Sequence, residues 1–202
     1  MPKIKLTKSE LKTQRDSLKQ FTRFLPTLQL KKQQLQLETR QSQERIEKNK
    51  KREIKFKYNI SSWISMFAED SDIERLAKYI TVKKIETDIQ NIAGVEIPIY
   101  NRTHFKISDY NLFIEAPWVD DGIKAICDLI EIRAERDILE EQYRRINNEL
   151  RTTTQRVNLF EKVKIPECKE NIRVIQIYLG DQQTSAVGRS KIAKKKMAEV
   201  SL

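Results

Sequence analysis

The fold is decided by residues 11–35, LKTQRDSLKQFTRFLPTLQLKKQQL, in which apolar side chains recur at steps of three, four or seven. Such steps place side chains on one face of an α-helix. The stripe begins with Leu11, Leu18, Phe21, Leu25, Leu28 and Leu35, and continues through Thr39, Ser42, Ile46, Asn49, Phe56, Ile60, Trp63 and Phe67. We therefore predict an N-terminal coiled-coil helix within residues 4–67.

A second stripe of similar length lies toward the other end of the chain. Only about 50 residues separate the two predicted helices, so the simplest packing is antiparallel. We predict a mainly α fold, a long antiparallel two-helix coiled coil with a small middle α/β-hairpin element. This is the shape of a rod rather than of an enzyme pocket. The second stripe comprises Leu129, Ile132, Arg136, Leu139, Tyr143, Ile146, Leu150, Thr153, Val157 and Phe160.

Residues 68–116 form the predicted middle element. A capping-box pattern at Ser71–Glu74 predicts a short helix. The β-branched runs on either side of Gly94 predict a β-hairpin, and Pro98 favours an edge strand. The segments 105–107 and 112–114 are candidates for a further short strand pair.

The second coiled-coil helix is predicted over 117–183. Pro117 suits the first helical turn, and Pro166 is the one expected interruption. In the first helix Pro26 is expected to cause a kink, with a break as the alternative. Residues 184–202 are predicted to be a basic tail, disordered when alone.

Composition narrows the class of protein. The chain has 202 residues, of which 34% are charged, with only four glycines and five prolines, which favours long helices. It has no apolar run of 18 residues and no apolar signal segment near Met1, so neither a membrane span nor secretion is expected. The isolated Cys127 and Cys168 fit a reducing cytoplasm.

Charge is distributed unevenly along the chain. The net charge is +10, with +11 in residues 1–60, −5 in the middle and +4 in residues 186–202. If the helices pair antiparallel, the two basic ends are expected to meet at one tip. Polar interruptions of the stripes, such as Asn49, Arg136 and Thr153, either mark imperfect packing or set the register of the pair.

Catalytic patterns are lacking in the sequence. His104 is the only histidine, and no phosphate-binding glycine motif occurs, so we predict no catalytic residue, cofactor or metal site. Two alternatives remain, a coiled-coil adaptor and a nucleic-acid-binding protein. Lysines and arginines at 48–52 and in the tail could contact phosphates, but Glu44, Glu47 and Glu53 interrupt them, as on the exposed face of a salt-bridged helix.

One segment resembles a known family. Val157-Asn158-Leu159-Phe160-Glu161-Lys162-Val163-Lys164-Ile165-Pro166 is similar to a segment of the D subunit of the V-type and archaeal-type rotary ATPases. The stretches 25–35 and 92–98 resemble its leucine-and-lysine segment and its central G-V-x-x-P element. The chain lacks the Arg-Gly pair common near Phe24, which suggests a divergent bacterial branch.

The resemblance implies a function. The D subunit is the central rotor shaft, whose paired helices lie inside a ring of catalytic and non-catalytic subunits that carry out the ATP chemistry. The implied further partners are the F subunit and the membrane-proximal stalk subunit above the proteolipid ring, with the complex peripheral on the inner face of the cell membrane. Pro26 and Pro166 are candidate bend positions. Candidate partner-binding residues are Lys31, Lys32, Arg189, Lys191, Lys194, Lys195 and Lys196.

Overall fold

A computed structural model describes residues 4–67, 78–111, 115 and 117–200, without the side chains of 62–67 and 198–200. It confirms a mainly α fold with long N- and C-terminal helices and a small antiparallel sheet between them. The elements are α1 (Lys8–Phe67), β1 (Ile80–Ile92), β2 (Val95–Ile107), α2 (Val119–Leu159), a π-helical segment (Phe160–Lys164) and α3 (Ile165–Val200).

The chain divides into two compact units. The hairpin unit is Gln33–Arg151, and the terminal unit consists of Met1–Lys32 with Thr152–Leu202. The capping box at Ser71–Glu74, the candidate strand at 112–114 and the side chains of Trp63 and Phe67 lie outside the described residues.

Helix α1 is capped at its N-terminus by Thr7. The Glu10 amide donates a 3.2 Å hydrogen bond to Thr7 Oγ1, and the Leu11 amide donates to the Thr7 carbonyl at 3.0 Å. The Glu10 carboxylate accepts from Gln14 Nε2 at 2.8 Å, one turn ahead. Thr7 therefore serves as the N-cap of the helix.

The predicted hairpin is present and longer than expected. Ala93 and Gly94 both have positive φ, 51° and 79°, as the two central residues of a type I′ turn require. The segment 105–107, expected as a separate strand, is instead the end of β2, with Ile107 opposite Ile80. Two register shifts in the pairing let the strands stay aligned over 13 residues each.

The two prolines behave differently. Pro26 lies inside α1, which runs through it without a break. Pro166 lies just after the π-helical segment, in which the Ile165 amide donates to the Phe160 carbonyl, five residues earlier. Because Pro166 cannot donate to a carbonyl in the preceding turn, the wider turn occurs where a regular α-helix would be most strained.

The helix at the C-terminus is longer than predicted. Helix α3 passes Gln183 and continues to Val200, so the disordered tail expected from residue 184 onward is wrong as to local structure. The tail has four lysines and three alanines, which are good helix formers, and no proline interrupts it. At the other boundary, Pro117 and Trp118 form a turn, and α2 begins at Val119.

Each unit has its own core. In the hairpin unit, Leu35, Ile97 and Ile146 are buried together, so β2 packs against both helices. A second cluster around Val119 and Ile123 packs against the base of the hairpin. In the terminal unit, the α1 residue Phe21 contacts Phe160, with ring centroids 5.0 Å apart. The buried residues of that unit are Thr153, Val157, Cys168 and Ile175.

Candidate functional site

The side chains with catalytic potential are dispersed. His104 lies on the exposed hairpin, where its Nε2 is 3.1 Å from Glu86. Burial raises the pKa of the Cys127 and Cys168 thiols, which makes both less reactive. Within the described residues, no three His, Cys, Asp or Glu side chains converge as metal ligands.

The hairpin is attached to α2 by specific contacts. Ile97 is only 1% exposed in the first core cluster. Gln142 Nε2 donates to the Pro98 carbonyl, and Arg145 Nη1 donates to the Glu96 carbonyl at 3.2 Å. The opposite face of the hairpin is open, since Ile89 is 75% exposed. The helices thus fix one face of the hairpin and leave the other accessible.

A conservative change should test this attachment. We expect Ile97→Val to lower the free energy of unfolding by about 1 kcal/mol, because one buried methylene is lost from the core. The matched change Ile89→Val, on the exposed face, should alter it by less than about 0.5 kcal/mol. Urea denaturation followed by circular dichroism measures both, and equal effects would contradict the packing of Ile97.

Glu53 is the centre of a buried ion cluster between α1 and α2. Its side chain is 7% exposed, and its carboxylate contacts Lys57 Nζ at 2.7 Å, Arg133 Nε at 3.2 Å and Arg136 Nη1. The hydrogen bond from Lys57 and the charges of the two arginines lower the pKa of this carboxyl, against the opposing effect of burial. Glu53 is therefore held ionised inside the helix pair.

This cluster corrects one sequence interpretation. We placed Glu53 on an exposed salt-bridged face, but it lies seven residues after the buried Ile46, on the stripe itself. The seven-residue spacing from Ile46 could have identified Glu53 as a position on the stripe from the sequence alone. Arg136, which interrupts the second stripe, contacts Glu53. This contact favours the view that the polar residues on the stripes set the register of the two helices.

A second polar layer lies one turn away. The buried Asn49 donates from Nδ2 to Glu135 Oε2 at 3.0 Å, and Arg52 Nη1 donates to the same oxygen at 3.2 Å. Asn49 Oδ1 is buried and accepts no hydrogen bond from any residue that the structure describes. Because such an acceptor costs free energy, this layer is a weakly satisfied part of the core.

The predicted partner-binding residues fall in two places. Lys31 and Lys32 are half-buried on α1, whereas the tail residues are exposed on α3. The Phe21–Phe160 contact fixes the pairing of the terminal unit, so about 40 residues, or about 60 Å of helix, separate Lys31 from the tail. The structure does not bring the two groups together at one tip. The tail residues are Arg189, Lys191, Lys194, Lys195 and Lys196.

The two candidate bend positions belong to the terminal unit. Pro26 has no N–H to donate to the Thr22 carbonyl, and Thr22 follows Phe21. Phe21 contacts Phe160, the first residue of the π-helical segment. Because the paired helices run antiparallel, the turn before Pro26 and the π-helical turn before Pro166 lie on either side of this contact, and the two prolines are about 11 residues, or ~16 Å, apart along the helix axis.

Sequence comparison assigns the chain to a family. The sequence model of the ATP synthase D-subunit family matches residues 10–195. The V-type ATP synthase D subunit of Borreliella burgdorferi is 48% identical over 194 residues, covering 96% of this chain and 95% of the relative. The D subunit of Chlamydia pneumoniae is 30% identical, covering 96% and 93%. That of Chlamydia muridarum is 30% identical, covering 97% of both chains.

These matches run nearly end to end, and the family model includes every predicted partner-binding residue except Lys196, which follows the last residue that it matches. None of the helices in the described ranges is long and apolar enough to cross a membrane. The resemblance found in the segment 157–166 is thus supported over almost the whole chain. The chain belongs to the family of ATP synthase D subunits.

Proposed function

We propose that this chain is the central rotor shaft of a V-type ATP synthase or ATPase. It transmits torque between the catalytic ring and the ion-translocating rotor ring in the membrane. The observation that carries the proposal is the family match over residues 10–195. The antiparallel helix pairing within each unit supports it, because paired helices resist twisting better than one helix does.

The chain contributes no catalytic residue in this proposal. ATP is hydrolysed or made by the ring, whose catalytic and non-catalytic subunits are the first partners. The F subunit and the membrane-proximal stalk subunit above the proteolipid ring are the others. The chain is then peripheral on the inner face of the cell membrane as part of the complex. Relatives named as V-type ATP synthase subunits support this assignment.

Removal and restoration of the chain tests the proposal. Membrane vesicles from a strain that lacks the chain should show no ATP-driven ion transport, and the full chain should restore it. A tagged chain should co-purify with the ring subunits and the F subunit. A chain that instead binds DNA or RNA in a salt-sensitive way, without V-type subunits, would be an adaptor or nucleic-acid binder.

The exposed lysines of α3 give a sharper test. Replacing Lys194, Lys195 and Lys196 by Glu should weaken assembly with the ring, because weak, screened attractions of order ~0–1 kcal/mol per pair become repulsions. Arginine at the same three positions keeps the charge and is the control. Subunit retention should be compared at low and high salt, with helicity checked by circular dichroism. Unchanged assembly under both conditions would refute this role.

A further inference from the structure

The buried stripe of the C-terminal helix shifts by one residue near the π-helical segment. Residues buried between paired helices recur at steps of three and four, which add to seven. Two steps of seven from the buried Thr153 lead to Glu167, whose side chain is 41% exposed, whereas its neighbour Cys168 is buried. A third step leads to Val174, which is 38% exposed, whereas Ile175 is fully buried. The chain therefore has one residue in excess of the seven-residue repeat between Thr153 and Cys168.

The π-helical segment takes up this excess residue. Its turn is one residue longer than an α-helical turn, since the Ile165 amide donates to the Phe160 carbonyl. Leu159 and Ile165, which flank the segment, have α-helical φ and ψ of −61°, −45° and −66°, −48°. None of the five residues of the segment, all of which the structure describes, is buried. The extra residue is thus accommodated without displacing a buried side chain.

The proline that follows the segment is not sufficient to explain it. Helix α1 contains Pro26 and stays α-helical around it. The half-buried residues on both sides of Pro26 keep an uninterrupted alternation of four and three; they are Gln14, Leu18, Phe21, Leu25 and Leu28. Both helices of the terminal unit contain a proline, and the π-helical turn occurs in the helix that has the excess residue. Pro166 then favours the position of the turn, and the excess residue accounts for its existence.

We propose that the π-helical segment is a torsional joint in the paired helices of the terminal unit. The excess residue can be held locally in the π-helical turn, or it can be spread as regular α-helix over the 11-residue step from Val157 to Cys168. Such a step has about 3.67 residues per turn, against about 3.5 in a seven-residue repeat, so it unwinds the left-handed supercoil locally. Exchange between the two forms turns α3 about its axis relative to residues 152–159 of α2.

The exchange leaves the buried residues in place. Val157 and Cys168 lie on the buried stripe in both forms, because the excess residue is taken up between them. The ion pair from Lys164 Nζ to Glu167 Oε2, 3.0 Å long, lies at the edge of the segment and is largely exposed. Exposed pairs of this kind contribute little to stability. The segment can therefore change form without unpairing the helices.

The function of the joint rests on the proposed function, in which the chain transmits torque. A shaft with one such joint twists at a defined position when its two ends are driven unevenly. A shaft with a regular helix pair throughout lacks this position and is stiffer. Removing the excess residue should therefore change the twisting of the shaft while preserving its buried stripe.

Deletion of a single residue tests the proposal. Lys162 lies exposed in the segment, and its deletion should restore the seven-residue repeat from Thr153 to Ile175. Deletion of Lys169, another exposed lysine beyond the segment, is the matched control. Both deletions are made in the full chain carrying Pro166→Ala, so that the proline does not oppose a regular α-helix.

The two deletions should differ in their effect on stability. We expect deletion of Lys162 to leave the Tm of the Pro166→Ala parent unchanged or higher. Deletion of Lys169 should lower it by about 5 °C or more, because it moves Ile175 out of the buried stripe or forces a carboxylate into the stripe. Thermal unfolding followed by circular dichroism measures both. Equal losses from the two deletions would show that the segment holds no excess residue.

Hydrogen exchange tests the movement itself. In the Pro166→Ala parent, backbone amides of residues 157–168 should exchange while the segment changes form, and deletion of Lys162 should slow this exchange by about tenfold or more. Residues 171–179, beyond the joint, are the internal reference and should change much less. Mass spectrometry of peptides from the full chain measures both regions. Unchanged exchange in 157–168, or equal slowing in both regions, would overturn the joint.

The torsional role is tested in the assembled complex. Angular fluctuations of a bead attached to the rotor should narrow when the parent chain is replaced by the chain that lacks Lys162. Unchanged fluctuations would refute this role. If the wild-type chain assembles with no V-type subunit, the proposed function fails, and the stability and exchange measurements still decide whether the joint exists.

Discussion

Glu53→Gln is expected to lower the free energy of unfolding of the hairpin unit by about 2–3 kcal/mol. The change removes the one carboxylate that Lys57, Arg133 and Arg136 share and leaves the cations facing each other. Loss of one partner from a fully buried pair costs ~3–5 kcal/mol. The expected cost is smaller because Arg133 and Lys57 are about half exposed and can turn toward water.

The same site predicts a pH dependence. Its neighbours hold the pKa of the Glu53 carboxyl below its ordinary value of 4.5. The contribution to stability is therefore present above the unfolded-state pKa and is lost as the pH falls through the lower pKa of the folded state. In the Glu53→Gln variant this part of the acid-induced loss should be absent. Urea midpoints measured between neutral pH and about pH 3 compare the two proteins.

A double variant separates charge from packing. Glu53→Leu combined with Arg136→Met removes the closest pair and keeps apolar bulk in the helix interface. Such replacements are often neutral or stabilising, so we expect most of the lost stability to return. Glu44→Gln, on the exposed surface of α1, is the control and should change stability by less than about 0.5 kcal/mol. A Glu53→Gln variant as stable as this control would refute the buried cluster.

The helices were predictable because their signal is repeated many times. Leu35 and Ile146 lie on stripes of apolar residues at helical spacing, and both are buried. The hairpin turn was predictable from Gly94, which adopts the positive φ that a type I′ turn needs. The backbone conformation of such a turn is set by its own residues, and no distant contact opposes it, so it can be predicted from a short stretch of sequence.

The buried polar contacts were harder to predict, because each of them depends on two or more residues that are distant in the sequence. Glu53 alone is typical of an exposed helix position, and its burial is tolerable because Lys57 on α1 is joined by Arg133 and Arg136 on α2. Such a contact depends on the register between segments about 80 residues apart, which one helix pattern does not specify.

The continuation of the C-terminal helix beyond Gln183 and the π-helical segment were not predicted, for a different reason. Residues 184–200 have little apolar surface to bury, yet Ala, Lys and Met keep the backbone helical without a packed face. The position of Pro166 predicted an interruption of the helix, but not that the interruption is a π-helical turn. The extra residue in the turn is placed before the proline, where the Ile165 amide finds a partner five residues back.

We propose that the turn before Pro26, which lacks one backbone hydrogen bond, and the π-helical turn before Pro166 bend the paired helices of the terminal unit. Each proline lacks a backbone donor, and a proline inside a helix displaces the preceding turn. Phe21 and Phe160 are in contact at 5.0 Å, and the helices run antiparallel, so the two turns lie on either side of this contact and the prolines are ~16 Å apart along the helix axis. A straight, symmetric shaft would present the same surface to every ring subunit, whereas a bent one presses on one of them at a time.

Pro26→Ala with Pro166→Ala should therefore make the chain more stable and the motor slower. Alanine restores two donors and is better than proline inside a helix by up to ~3 kcal/mol per site, so the rise in thermal stability should be measurable by circular dichroism. ATP-driven rotation of the assembled complex should fall, because a straighter shaft distinguishes less well between ring subunits.

Thr27→Ala, at a neighbouring exposed position on α1, is the control. It raises helix propensity without changing a proline and should leave rotation unchanged. A double variant that is more stable yet rotates at the normal rate would show that torque does not depend on the bend, and the prolines would then matter only for the local geometry of their helices.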